Sequence, residues 1–152
     1  MAKVAVLMGS KSDEKYWNEA KNYLDYFGIQ AQVEYISAHR TPQKVMKFAA
    51  EARQNGFQVI IAAAGMAAHL GGAVAAHSDL PVLGVPLPGG IMDGLDALLS
   101  TVQMPAGVPV ATFAVGKAGF RNACVFAAQI ISLNDSSVLD LLVKFKANGA
   151  KL

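Results

Sequence analysis

The 152-residue chain contains a single cysteine, Cys124. One cysteine excludes an internal disulfide and any multi-cysteine metal or iron–sulfur site, and it fits a reducing setting, expected to be cytoplasmic. Charge is also scarce, at 16% of residues against about 25% in an average soluble domain. Thirteen Lys and Arg face eleven Asp and Glu, for a net charge of +2, and no basic block gathers anywhere. Nucleic acid is therefore not an expected partner. The first residues, Met1 to Met8, lack the charged and then apolar regions of a signal peptide and read as a strand. The most apolar stretch, 59–76, is interrupted by Gly65, Gly71 and Gly72. It reads as a buried strand followed by a buried helix, so no membrane span is expected. Neither Gly-x-Gly-x-x-Gly nor Gly-x-x-x-x-Gly-Lys-Ser/Thr is present, which removes a dinucleotide fold motif and a triphosphate loop.

What the chain has in excess is apolar surface, 53% of residues against about 45–50% on average. That suffices for a sizeable core and leaves a surplus for contacts between subunits. Five short apolar runs recur: Val4–Met8, Ile29–Ile36, Val59–Ala64, Val82–Pro86 and Val110–Val115. Ile29–Ile36 alternates with period two, whereas the other four are continuously apolar, as strands covered on both faces of a parallel sheet should be. Helices are predicted between them. Ser12 is placed as the cap of the first, with Asp13 and Glu14 in its first turn, Trp17, Ala20, Leu24 and Phe27 as its apolar stripe and Gly28 as its stop. Thr41 and Pro42 open the second, with Val45, Phe48, Ala49 and Ala52 inside and Gly56 beyond. Later helices are predicted over about 67–76, 93–102, 119–133 and 136–147. The pattern is α/β: a flavodoxin-like doubly wound three-layer sandwich with a central parallel sheet and an extra C-terminal helix, formed by residues 1–152 as one domain.

In such sheets ligands bind outside the carboxyl ends of the strands. Those ends carry Gly9-Ser10-Lys11-Ser12-Asp13, Ser37-Ala38-His39-Arg40-Thr41-Pro42, Gly65-Met66-Ala67-Ala68-His69-Leu70 and Pro86-Leu87-Pro88-Gly89-Gly90. The first puts hydroxyls and free amides at a helix N-terminus, a favourable place for an anion. The second brings to one loop a guanidinium, which grips phosphate bidentately, and an imidazole, which exchanges a proton near neutral pH. His69 lies among alanines and glycines, where a charged imidazole is costly to desolvate, and reads as a satisfied core histidine or a neutral site residue. His77 would stand roughly 12 Å further along a helix at 1.5 Å per residue. That is too far to share a metal with His69, and with no carboxylate adjoining, no metal is expected. His77 reads as a helix C-terminal contact, Cys124 as core, and most methionines as core filler, with Met104 in reach of the third segment.

Together these segments resemble the PurE family of purine biosynthesis. The resemblance runs through Met8–Asp13, Ser37–Pro42, Ala64–Leu70 and Val102–Thr112, in order and over nearly the whole chain. Two departures stand out. Gly71 replaces the proline that usually follows the His-Leu pair and should loosen the start of that helix, and Glu14 stands where many members have tryptophan.

The resemblance implies a ribonucleotide monophosphate substrate whose carboxylate moves from the exocyclic amine to ring carbon 4, with no ATP, metal or organic cofactor. By the same resemblance Ser10 and Arg40 hold the phosphate, helped by Ser12, Ser37, Ala38 and nearby amides, while Asp13 accepts from ribose hydroxyls. His39 is the general acid and base. His69, with Gly65, Met66, Ala67, Ala68 and Leu70, lines the pocket for base and carboxylate. The segment Ala67–Leu70 is closer to the mutase branch than to the branch that carboxylates aminoimidazole ribonucleotide directly. An octamer is implied, and the C-terminal segment Val138–Phe145, apolar over more than one stripe, independently suggests self-association. A phosphorelay receiver of the same fold would need an aspartate where Ala62-Ala63-Ala64-Gly65 stands. A flavin carrier would usually place aromatics on rim loops that have none.

Overall fold

In a computed structural model describing residues 1–152, five parallel strands run in the order β2-β1-β3-β4-β5. They are β1 (Lys3–Met8), β2 (Gln30–Tyr35), β3 (Val59–Gly65), β4 (Val82–Leu87) and β5 (Ala111–Thr112). The helices are α1 (Glu14–Asn18), α2 (Lys21–Tyr26), α3 (Pro42–Glu51), α4 (Leu70–Ala75), α5 (Leu95–Val102), α6 (Lys117–Ser132) and α7 (Ser136–Ala147). This is the flavodoxin-like α/β sandwich that the alternation of apolar runs and helical stripes predicts.

Side chains alternate across the central strands, so each strand feeds two cores. Val4, Val6 and Met8 of β1 join Trp17, Leu24, Phe27, Phe120 and Phe145 on the face covered by α1, α2, α6 and α7. Ala5 and Leu7 face the other way, toward Val45, Ala49, Leu70 and Val74 of α3 and α4. On that second face α5 packs against β4 through Thr101, whose methyl lies 2.5 Å from where a Cβ on Gly84 would be. Only a glycine in β4 lets that helix lie so close. Cys124 is wholly buried in the first core, and burial pushes its thiol far above the ordinary value. No helix is long and apolar enough to cross a membrane. The stretch 59–76 is instead the buried strand β3 followed by α4.

Several local expectations are corrected. Ser10, not Ser12, is the cap at the first helical turn: Ser10 Oγ accepts the Ser12 amide at 3.3 Å, and Asp13 Oδ2 accepts the Ser10 amide at 3.1 Å. The chain enters a 3-10 turn at Lys11, so the cap falls two residues early and Asp13 becomes the return arm of a capping box. The helix that follows is split into α1 and α2 around Glu19–Ala20, although Trp17, Ala20, Leu24 and Phe27 are buried as one stripe. Thr41 precedes α3 but does not cap it, because its hydroxyl donates to Ser37 O at 3.1 Å. The helix expected over 67–76 is shortened to Leu70–Ala75 by a tight turn over Met66–His69. Gly71 lies inside that helix, and a Cβ there would make ordinary contact with Val110 at 3.5 Å.

The last strand is much shorter than Val110–Val115. After two ladder residues the chain stays beside β4 only through Phe113 N–H donating to Gly84 O and Gly116 N–H donating to Pro86 O. The helices expected over 93–102 and 119–133 begin two residues later and two earlier, respectively, and the one over 136–147 is as expected.

Candidate active site

The strand order turns at β1: the chain steps outward to β2 and then returns to lay β3 on the other side. That switch opens a crevice above the carboxyl ends of β1 and β3, the position where open α/β sheets take ligands. A cleft of about 610 Å³ occupies it. Three rim segments supply most of its wall, Gly9–Tyr16, Ser37–Arg40 and Ala64–Leu70, and Pro88–Gly89 complete it.

Of the residues expected there, Ser10, Ser12, Asp13, Ser37, Ala38, His39, Arg40, Gly65, Met66, Ala67, His69 and Leu70 all line the cleft. Ala68 does not. Its side chain is buried in the core, 2% exposed, because its amide is turned toward α5, where it donates to Ser100 Oγ at 2.9 Å. Nor does the fourth motif, Val102–Thr112, reach the cleft. Met104 packs its sulfur 3.1 Å from where a Cβ on Gly72 would be, so it braces α4 from behind.

At one wall Ser10 and Ser12 hydroxyls meet at 2.9 Å beside the capping-box carboxylate of Asp13. Asp13 is partly desolvated, which raises its pKa against the opposing pull of the Ser10 amide and the Lys15 charge. At the adjoining wall the loop 37–41 is tied to itself. Ser37 Oγ accepts the Arg40 amide at 3.2 Å, and Thr41 Oγ1 accepts the Ser37 amide at 3.3 Å. Those bonds fix the loop backbone while the Arg40 guanidinium remains exposed and free of any ion pair. An anion placed there meets hydroxyls, amides and one planar cation together.

His39 and His69 come from different segments and touch. His39 Nε2 and His69 Nδ1 are 2.6 Å apart, the rings nearly edge to face at 73°. His69 is thus neither buried nor alone: it is exposed at the N-cap of α4 and aims its ring at His39 instead of at the helix amides. Facing nitrogens so close hold one proton between them, and each ring keeps a second nitrogen for another partner. The arrangement can give a proton to a bound group and take one back.

Lys15 and Tyr16, not among the residues expected at the site, also line the cleft from α1. The Lys15 ammonium lies 5.1 Å from the Tyr16 ring centroid. Their signal was available as spacing, since both fall three residues after a rim residue, Ser12 or Asp13, on a helical turn. Tyr16 also gives the cleft an aromatic wall that the rim loops lack. Beside it, Glu14 accepts the Tyr35 hydroxyl at 2.7 Å, which holds that phenol above its usual pKa. The cleft of one chain is open and its lining mixes polar and apolar surface, with Met66 65% exposed.

The family model for AIR carboxylase matches residues 3–151. An N5-carboxyaminoimidazole ribonucleotide mutase of Saccharolobus solfataricus is 51% identical over 145 residues, 95% of this chain and 90% of the relative. The protein of that name from Escherichia coli K12 is 50% identical over 137 residues, 90% of this chain and 81% of the relative. Among solved structures, Treponema denticola PurE superposes with a TM-score of 0.88 at 28% identity, covering 99% of this chain and 92% of that one.

Proposed function

The chain belongs to the AIR carboxylase family, and from that premise we propose that it is an isomerase of purine biosynthesis that moves a carboxylate within one ribonucleotide. The reaction takes the carboxylate from the exocyclic amine to ring carbon 4 of aminoimidazole ribonucleotide. The relatives that match over nearly the full chain at about half identity are mutases by name, and the residue chemistry of the cleft suits that reaction. The observation that carries the reading is the contact of His39 with His69 in the same cleft as Arg40 and the Ser10 cap.

In this reading Ser10, Ser12, Ser37 and Arg40, with the amide of Ala38, take the phosphate, and Asp13 accepts from the ribose. The base and its carbamate then lie against Gly65, Met66, Ala67 and Leu70 beside the two imidazoles. Protonation of the carbamate nitrogen by His39 breaks the bond to the carboxyl carbon, and the electron pair of that bond stays on nitrogen. Carbon dioxide is released. Ring carbon 4, electron-rich through the amine now freed, attacks that carbon and forms the new bond. His39, left unprotonated by the first transfer, removes the proton from carbon 4 and restores the aromatic ring. One proton leaves the pair and one returns, so the cycle closes without another reactant. His69 holds the shared proton and keeps His39 turned toward the ring.

Residues 1–152 act as a single catalytic domain in a homo-octamer in the cytoplasm. Apolar side chains left exposed support self-association, among them Ile91, Met92 and Leu99, and Leu139 and Val143 on α7. Neighbouring copies would close a cleft that one chain leaves open. The test is turnover: incubation with the carboxyamino ribonucleotide in chelator and without ATP should give the carbon-4 carboxylate. No conversion above the spontaneous rate would reject the reading.

A further inference from the structure

The turn that carries His69 is held in place from outside the cleft. Met66 has φ +54°, in the left-handed region, which side chains other than glycine and asparagine rarely adopt and which persists where surrounding contacts enforce it. Two short bonds then follow in succession, Ala68 N–H donating to Met66 O at 2.9 Å and His69 N–H donating to Ala67 O at 2.8 Å. Immediately beyond, Leu70 begins α4 and His69 meets His39.

Against this turn stands Ser100, in the last turn of α5. Its hydroxyl has one proton, and the nearest acceptor is Asp96 O at 2.7 Å, one helical turn earlier. With the proton directed there, its lone pairs face Ala68 N–H at 2.9 Å, and Met66 O lies 3.3 Å away. A serine within a helix usually satisfies itself by bonding back to its own helix. Here the same oxygen also reaches across to the neighbouring turn.

We propose that Ser100 is a positioning residue for the reaction: by accepting the Ala68 amide it holds Met66 in its left-handed turn and thereby sets where His69 presents Nδ1 to His39. Ser100 touches no reacting atom. Its effect runs through Ala68 and the backbone of Met66 to the histidine pair, while the phosphate grip on the other two segments is untouched. The catalytic readout rests on the function proposed above, and the spectroscopic one does not.

Ser100→Ala removes the acceptor and keeps a good helix former. In the full-length protein it should lower kcat by about 10- to 100-fold, the scale for misplacing a catalytic group by about an ångström. KM should change far less than kcat, because the phosphate and ribose contacts lie on the other two segments, even though the base rests against this turn. The pH profile of kcat should change as His39 loses its partner. Ser100→Thr, which keeps the hydroxyl, should restore most of kcat. Glycine adopts the left-handed turn without steric cost. Ser100→Ala added to Met66→Gly should therefore cost less than threefold in kcat relative to Met66→Gly alone, a coupling that a double-mutant cycle reads directly. In the ligand-free enzyme labelled with ¹⁵N-histidine, the proton shared by His39 and His69 should give a strongly downfield signal. It should be lost in Ser100→Ala and regained in the double variant. A folded Ser100→Ala with unchanged kcat, pH profile and histidine signal would overturn the proposal, as would a double variant no better coupled than the single. If the wild type shows no mutase turnover, the function fails and the histidine signals still decide the role of Ser100.

Discussion

His39 Nε2 and His69 Nδ1 share one hydrogen bond of 2.6 Å across two loops that lie 30 residues apart in sequence. In the proposed reaction the two rings have unequal roles, His39 facing the substrate and His69 orienting it. His39→Asn keeps a hydrogen-bonding group but cannot carry a proton, so turnover should fall by about 100-fold or more with substrate binding largely intact. His69→Asn should slow turnover less. Exchange of the proton at ring carbon 4, followed by NMR in heavy water, checks the order. Exchange abolished by His69→Asn and spared by His39→Asn would reverse the two roles.

Asp13 gives a prediction in pH. Its carboxyl titrates above the ordinary value because burial outweighs the Ser10 amide and Lys15. The folded chain therefore holds that proton to higher pH than the unfolded chain does. The stability this contributes is complete in acid, below the unfolded value, and is lost as pH rises through the raised value. Asparagine cannot ionise and still accepts the Ser10 amide. Asp13→Asn should melt at or above the wild type at neutral pH, the gap closing toward acid, while substrate binds about tenfold or more weakly for loss of a charged acceptor. A melting point well below wild type at neutral pH would show that the carboxylate supports the fold.

Arg40 and Lys15 are the fixed cations of the cleft, and they should fail differently. Arg40→Lys keeps the charge but loses the two-pronged grip, so affinity for the nucleotide should drop about tenfold, measured by titration calorimetry. Lys15→Gln should lower kcat/KM by about three- to tenfold at low salt and converge on the wild type as salt screens the field. An effect of Lys15→Gln that ignores ionic strength would make Lys15 a direct contact.

On α7, Val138, Leu142 and Phe145 are buried in the first core while Leu139 and Val143 stand 47% and 61% exposed. Two stripes on one helix call for two partners, and the chain supplies one. Leu139→Glu with Val143→Glu should break the oligomer into smaller species in sedimentation without unfolding the subunit. A wild type that sediments as a monomer at micromolar concentration would refute self-association.

The sandwich was legible because β1, β3 and β4 are unbroken apolar runs covered on both faces, a pattern that few other structures produce. The rim segments were legible for a related reason: polar residues are scarce in this chain, and their clustering after strands marks one edge. The failures have specific causes. Ser10 and Ser12 are both competent caps, and only the early 3-10 turn at Lys11 decides between them. The apolar run Val110–Val115 lies at the sheet edge, where Phe113 and Gly116 keep single bonds to β4 after the ladder ends. Nothing in Leu98-Leu99-Ser100-Thr101 announces that Ser100 reaches Ala68. The left-handed turn at Met66 was equally invisible, since glycine, the usual marker of such a turn, is at the neighbouring position. His39 and His69 were each singled out, but their contact depends on how the loops after β2 and β3 fold over the edge, which no local pattern encodes.

In the proposed reaction the carboxylate moves within one bound ribonucleotide, and the decisive experiment supplies substrate labelled at the carbamate carbon with excess unlabelled bicarbonate and carbonic anhydrase, corrected for spontaneous breakdown. Carbon dioxide held in a closed site is recaptured before it mixes with solvent, so the carbon-4 carboxylate should retain the label from the earliest time points. Product carrying mainly solvent carbon at those times would contradict a mutase and indicate direct carboxylation of aminoimidazole ribonucleotide.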